Sequence, residues 1–190
     1  MKIGILNLQG AVSEHYEITK KTVNKLQLNH EVKNVRYAEE VATCDAIIIS
    51  GGESTVIGKL IQRREIDKTI KENNISVMGT CAGMVLLANK VDFDQPLLKL
   101  MDITVKRNAF GRQKDSFESE ITFQNQPYPG VFIRAPAIEK TGPQVKILSK
   151  FQNKIIAAQE KNHLAIAYHP ELTDDTRIHE YFIKKVIPNK

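Results

Sequence analysis

The sequence has no tryptophan, only two cysteines, Cys44 and Cys81, and few aromatic residues of any kind. Two cysteines cannot make a disulfide framework, so a reducing, cytoplasmic setting is expected. Aromatics amount to 6% and none alternates with basic residues as a base-stacking surface requires. The net charge of +5 therefore reads as a solvated basic surface, with no nucleic acid partner. The densest basic stretch, Gln62 to Lys68, has Glu65 and Asp67 interleaved. No apolar run approaches the ~20 residues that span a bilayer, so no membrane segment is expected. The start of the chain, with Glu14 close behind, lacks the apolar stretch and cleavage site of a signal peptide. No His/Cys pair has metal-ligand spacing, so no metal site is expected. Repeats, low-complexity tracts and linkers are also missing. With 190 residues, 42% of them hydrophobic and 26% charged, the chain fits one domain over 1–190.

What is present alternates strand and helix. Lys2 to Leu8 reads as a buried strand ended by Gln9-Gly10, and the spacing of Val12, Tyr16, Thr19, Val23 and Leu26 predicts a helix over 12–28. Glu31 to Val35 and the β-branched Ala46 to Ile49 read as strands. Ser54 reads as the cap of a helix running to about Asn73. A strand over 75–79 and a helix over 82–90 follow. This order predicts an α/β fold with a mostly parallel sheet covered by helices on both faces. After about residue 100 come short runs at 103–106, 117–123, 131–134, 145–148, 155–158 and 164–168, punctuated by Pro127-Tyr-Pro-Gly130 and Thr141-Gly-Pro143. They predict antiparallel additions, closed by a helix from about Asp174 to Val186.

Gly79-Thr-Cys-Ala-Gly83 lies where a strand-like run becomes a helix-like one. A nucleophile on such a turn has a strained backbone, and small neighbours relieve the crowding. The helix start favours thiolate over thiol, and the amide of Ala82 can stabilise an oxyanion. The competing reading is a glycine-rich turn around an inert cysteine. A second motif, His169-Pro-Glu171 after the run Leu164 to Tyr168, supplies a base and a carboxylate to orient it. A surface turn is its bland alternative. Ser50-Gly-Gly-Glu-Ser54 follows another strand end, where ligands of parallel sheets bind; Glu53 and the lack of a phosphate-loop pattern argue against phosphate. His15, His30, His163 and His179 read as exposed structural residues, and Cys44 as packing. The residues alone thus reach a cysteine hydrolase or acyl transferase with a Cys-His-Glu triad, and leave open which acyl group is attacked.

With these motifs in hand, the chain resembles the class I glutamine amidotransferases, whose fold is flavodoxin-like. The segments Leu8 to His15, Gly51 to Thr55, Gly79 to Gly83, Arg107 to Gln113, Phe132 to Pro136 and His169 to Thr173 carry the resemblance. The first, fourth and fifth are the narrowest, and they are similar to the branch that serves pyridoxal 5′-phosphate (vitamin B6) synthesis. Asn7, where a small residue is expected, is a departure that touches no triad position. The resemblance implies glutaminase activity: Cys81, His169 and Glu171 as triad, and amides of Gly52 and Ala82 around the oxyanion. It also implies that Gly51, Gly52, Glu53, Arg107, Ile133 and Arg134 bind L-glutamine. No cofactor is implied. The ammonia would pass to a (β/α)8-barrel synthase subunit in a large hetero-oligomer. Gln9 and Gly10, at the same sheet edge as Gly51 and Cys81, are then expected to couple the site to that partner. The rival readings are a glutaminase for histidine or purine synthesis and a non-catalytic regulatory subunit.

Overall fold

The computed structural model describes residues 1–111 and 116–188. Arg112 and Gln113, the end of one resembling segment, lie outside the described residues. In chain order the elements are β1 (Lys2–Leu6), α1 (Val12–Lys25), β2 (Glu31–Val35), α2 (Ala38–Val41), β3 (Ala46–Ile49), α3 (Ser54–Arg63), α4 (Ile66–Glu72), β4 (Ser76–Thr80), α5 (Ala82–Leu87) and β5 (Ala88–Val91). Then come β6 (Met101–Lys106), β7 (Ser116–Phe123), β8 (Gln126–Ile133), β9 (Ala137–Thr141), β10 (Lys146–Phe151), β11 (Lys154–Glu160) and β12 (His163–Ile166). A 3-10 turn (Pro170–Leu172), α6 (Arg177–Tyr181) and a π-helical turn (Phe182–Val186) complete the fold.

The main sheet has the order β2-β1-β3-β4-β12-β11-β9-β6-β5, with β10 on β11; β7 and β8 form a separate hairpin. From β2 to β12 every pairing is parallel, and the strands beyond are mostly antiparallel. The strands β1, β3 and β4 are buried along nearly their whole length, as strands covered on both faces are. The chain winds outward from β1 to β2, then crosses back to β3 and on to β4. Right-handed crossovers in opposite directions place α1 and the α3–α5 group on opposite faces. The C-terminal ends of β1, β3, β4 and β12 share one edge, and the loops leaving it build the site.

Several sequence expectations shift. The helix expected from Ser54 to Asn73 is two helices, broken where Glu65 adopts a left-handed φ of 56°. Ser54 caps nothing: Glu53 holds the cap position, and the Ser54 hydroxyl donates to Gln95 Oε1 at 2.8 Å. The helix expected to residue 90 stops at Leu87, because Ala88–Val91 pairs in parallel with β6. Pro127 to Gly130, expected as punctuation, lies inside β8, and the hairpin turns instead at Gln124-Asn125. The closing helix is shorter than expected, beginning at Arg177, and β9 is a strand the patterns did not mark. Among the described residues no helix is long and apolar enough to cross a membrane.

Candidate active site

Cys81 follows β4 directly and has φ 50°, ψ −103°, a backbone conformation rare outside glycine. Its N–H donates to the Ile166 carbonyl of β12 at 2.8 Å, which holds the turn to the neighbouring strand. The flanking glycines are a matter of space. A Cβ on Gly79 would lie 2.4 Å from the Gly83 carbonyl, and one on Gly83 would lie 2.1 Å from the Ile49 carbonyl. Strand β4, helix α5 and strand β3 can approach this closely only because both side chains are missing. As the first residue of α5, Ala82 has an N–H with no carbonyl four residues back in the helix.

Three residues past β12, His169 stands at the same edge, its N–H bonded to the Val131 carbonyl at 2.8 Å. Pro170 opens the 3-10 turn, and that turn brings Glu171 back so that its Oε1 lies 2.7 Å from His169 Nδ1. Both side chains are buried. With Nδ1 occupied, the buried Nε2 is the nitrogen left to interact with the Cys81 thiol. Burial disfavours the protonated imidazole, but Cys81 and Glu171 outweigh it and raise His169 to about 10. Glu171 is pushed up by burial, yet His15 and then His169 hold it far below the usual carboxylate range. The Sγ of Cys81 also lies 3.8 Å from the Ile133 carbonyl.

A cleft of about 330 Å³ opens over these groups, lined by Cys81, His169, Gly52, Glu53, Ala82, Arg107, Ile133 and Arg134 among others. Of the residues expected there, Gly51 stands behind the cleft wall: a Cβ on it would lie 2.5 Å from His169 Cε1. The Arg107 guanidinium lies 4.3 Å from the Phe93 ring centroid, with Asp92 nearby. Arg134 is exposed and carries a left-handed φ of 41°. Gln9 and Gly10 reach the same edge. Gln9 Oε1 accepts the Glu53 N–H at 2.9 Å, and Gly10 packs so tightly on the Gly51 carbonyl that a Cβ would lie 1.7 Å from it.

The sequence reading missed His15, His163 and His179 as buried groups. His15 is 0% exposed and His179 1%. His15 Nε2 lies 3.2 Å from Glu171 Oε2 and 2.9 Å from Thr80 Oγ1. A signal existed: His15 stands four and eight residues before Thr19 and Val23, on the buried stripe of α1. His163 is buried in β12 without touching the cleft. His30 is half-buried, outside the site. Cys44 is packing, as expected, and burial pushes its thiol up.

The profile of the SNO glutamine amidotransferase family matches residues 5–188. A Methanobrevibacter smithii protein named pyridoxal 5′-phosphate synthase subunit PdxT is 65% identical over 188 residues, spanning 97% of this chain and 96% of its own. Its namesake from Methanothermobacter thermautotrophicus is 56% identical over 187 residues, spanning 98% and 97%. A crystal structure of a glutamine amidotransferase, 37% identical, superimposes with a TM-score of 0.86 over 96% of this chain and 97% of that one. The glutaminase domain of Trypanosoma brucei CTPS, solved with acivicin bound, shares the fold at 12% identity, with a TM-score of 0.68 over 96% of this chain and 92% of that one.

Proposed function

The chain belongs to the SNO glutamine amidotransferase family, and from that premise we propose that Cys81, His169 and Glu171 are the triad of a glutaminase whose ammonia feeds a pyridoxal 5′-phosphate synthase partner. The observation that carries the triad is one cleft holding a thiol on a strained strand-to-helix turn and a buried imidazole–carboxylate pair at 2.7 Å. The relatives' names support pyridoxal 5′-phosphate synthesis over histidine or purine synthesis.

The reaction is L-glutamine plus water giving L-glutamate and ammonia. Cys81 thiolate attacks the side-chain amide carbon, and the amide oxygen takes up the negative charge near the Ala82 and Gly52 backbone. His169, protonated and aimed by Glu171, gives its proton to the departing nitrogen, leaving a thioester on Cys81. It then takes a proton from water, which attacks the thioester and releases glutamate and the thiol. Glutamine carries an α-carboxylate and an α-ammonium. The cleft offers two guanidinium groups, Arg107 and Arg134, for the first and Glu53 for the second. Gly51 and Ile133 shape the wall, and Gln9 with Gly10 links the site to the docked synthase, in a large hetero-oligomer in the cytoplasm. The whole chain acts as one glutaminase domain.

The test is covalent. A diazo-ketone analogue of glutamine is expected to add its mass at Cys81, and Cys81→Ala is expected to abolish glutamine turnover in the presence of the synthase with the fold intact. A label on Cys44, or turnover near that of the parent in Cys81→Ala, overturns the assignment.

A further inference from the structure

Behind the cleft runs a line of buried polar groups that the triad reading does not use. His15 Nε2 sits 3.2 Å from Glu171 Oε2 and 2.9 Å from Thr80 Oγ1, while His15 Nδ1 sits 3.3 Å from His179 Nε2. We propose that His15 is a positioning residue for glutamine hydrolysis: from α1 it holds the outer oxygen of Glu171 and so fixes the carboxylate plane that aims His169. The proposal rests on the triad assignment above.

Three observations support it. A carboxylate held at one oxygen can turn about its last bond; a second partner from a different element removes that freedom. His169 shares a turn with Glu171, whereas His15 comes from α1 and is itself tied to Thr80, the residue before Cys81. His15 therefore links the acid to the strand that carries the nucleophile. The protons also close in one consistent order. An ionised carboxylate only accepts, so the His15 nitrogen facing it carries the hydrogen. In the neutral imidazole this leaves His15 Nδ1 as the lone pair, and His179 Nε2–H donates to it. His179 Nδ1 is left as a bare lone pair, and among the described residues that atom is buried with no hydrogen-bond partner. Burial holds His179 neutral, down at about 3, as this order requires. Finally, a buried imidazole is a poor filler for an apolar face unless its nitrogens are used.

The titratable groups around Glu171 are His169 on its own turn, His15 from α1 and Tyr128 from β8, with His179 of α6 behind His15. A carboxylate free to turn holds the His169 imidazolium less well. His15→Leu is therefore expected to lower kcat with the synthase present about tenfold to a hundredfold, leaving KM for glutamine within about twofold. The alkaline limb of kcat/KM is expected to move to lower pH by about a unit. His15→Gln, which can offer an amide N–H at the same place, is expected to recover most of both. Active sites are counted with the diazo-ketone analogue, so a loss of folded protein does not imitate a loss of kcat. A parent-like kcat per active site and an unmoved limb in His15→Leu overturn the proposal. If that variant does not fold, Thr80→Val, which removes the hydroxyl that holds His15, is expected to move the limb the same way, and no movement there overturns it equally. Glu171→Gln run alongside separates the two readings: if it too keeps the parent's kcat, the triad assignment falls, not only the role of His15.

Discussion

At the scale of single residues, the site is shaped by side chains that are missing as much as by those present. Gly51 has His169 against its α-carbon, and a methyl group there would lie 2.5 Å from Cε1. Gly51→Ala is expected to displace the imidazole and lower glutamine turnover at least about a hundredfold, since misplacement of a reacting group by an ångström is that costly. The thermal midpoint, read by calorimetry, is expected to fall by only a few degrees, because the imidazole rim can shift toward the open cleft. A variant with parent-like kcat would show that His169 is not held from behind by the Gly51 backbone. The thiol, the imidazole and the carboxylate were legible in the sequence because each stands in a short local pattern with a mechanical reason. His15 and His179 were not. Periodicity says which face of a helix is buried, but a histidine on that face reads as a boundary residue until the carboxylate it meets, far away in sequence, is placed beside it.

At the scale of elements, the parallel half of the fold was legible and the antiparallel half only in outline. Runs such as Ala46–Ile49 are buried on both faces and continuous, so local composition identifies them. The strands β7 and β8 alternate or are broken by proline, and their pairing rather than their composition defines them. Hence Pro127 and Pro129 lie within a strand: among the described residues β8 pairs only with β7, and an edge tolerates a missing donor. The β7–β8 hairpin turns on Gln124 and Asn125, with φ of 52° and 59°. Two consecutive left-handed residues make the turn that favours Asn-Gly. Asn125→Gly is expected to stabilise the chain by about 0.5–1 kcal/mol, raising the thermal midpoint by a few degrees. An unchanged or lower midpoint would mean that asparagine already meets the demands of this turn.

For the whole molecule, buried histidines set opposite slopes of stability against pH. Burial, then Lys161, hold His163 at about 4 in the fold, against 6.5 when unfolded. Below pH 6.5 the unfolded chain therefore takes up a proton that the fold refuses, and stability falls as pH drops toward 4. His169 behaves the other way. Although burial opposes it, Cys81 and Glu171 raise it to about 10, so its contribution is complete below 6.5 and is lost as pH rises through 10. Denaturant midpoints are expected to decline on both sides of a maximum near pH 6.5. His163→Leu is expected to flatten only the acid side. A parent-like acid slope in that variant would assign the acid sensitivity to other groups.

The close approach of β3, β4 and α5 at Gly79 and Gly83 has a consequence for lineage. Neither glycine takes part in bond making; each is required by the backbone carbonyl a side chain would strike, 2.4 Å away at Gly79 and 2.1 Å away at Gly83. A descendant that had exchanged Cys81 for an inert residue would still need both to fold. The two glycines are thus a requirement of the architecture, whereas under the proposed triad the glutaminase chemistry is written in the thiol, the imidazole and the carboxylate between and beyond them. A search for inactive members of this family should therefore hold the glycines constant and look for change at position 81.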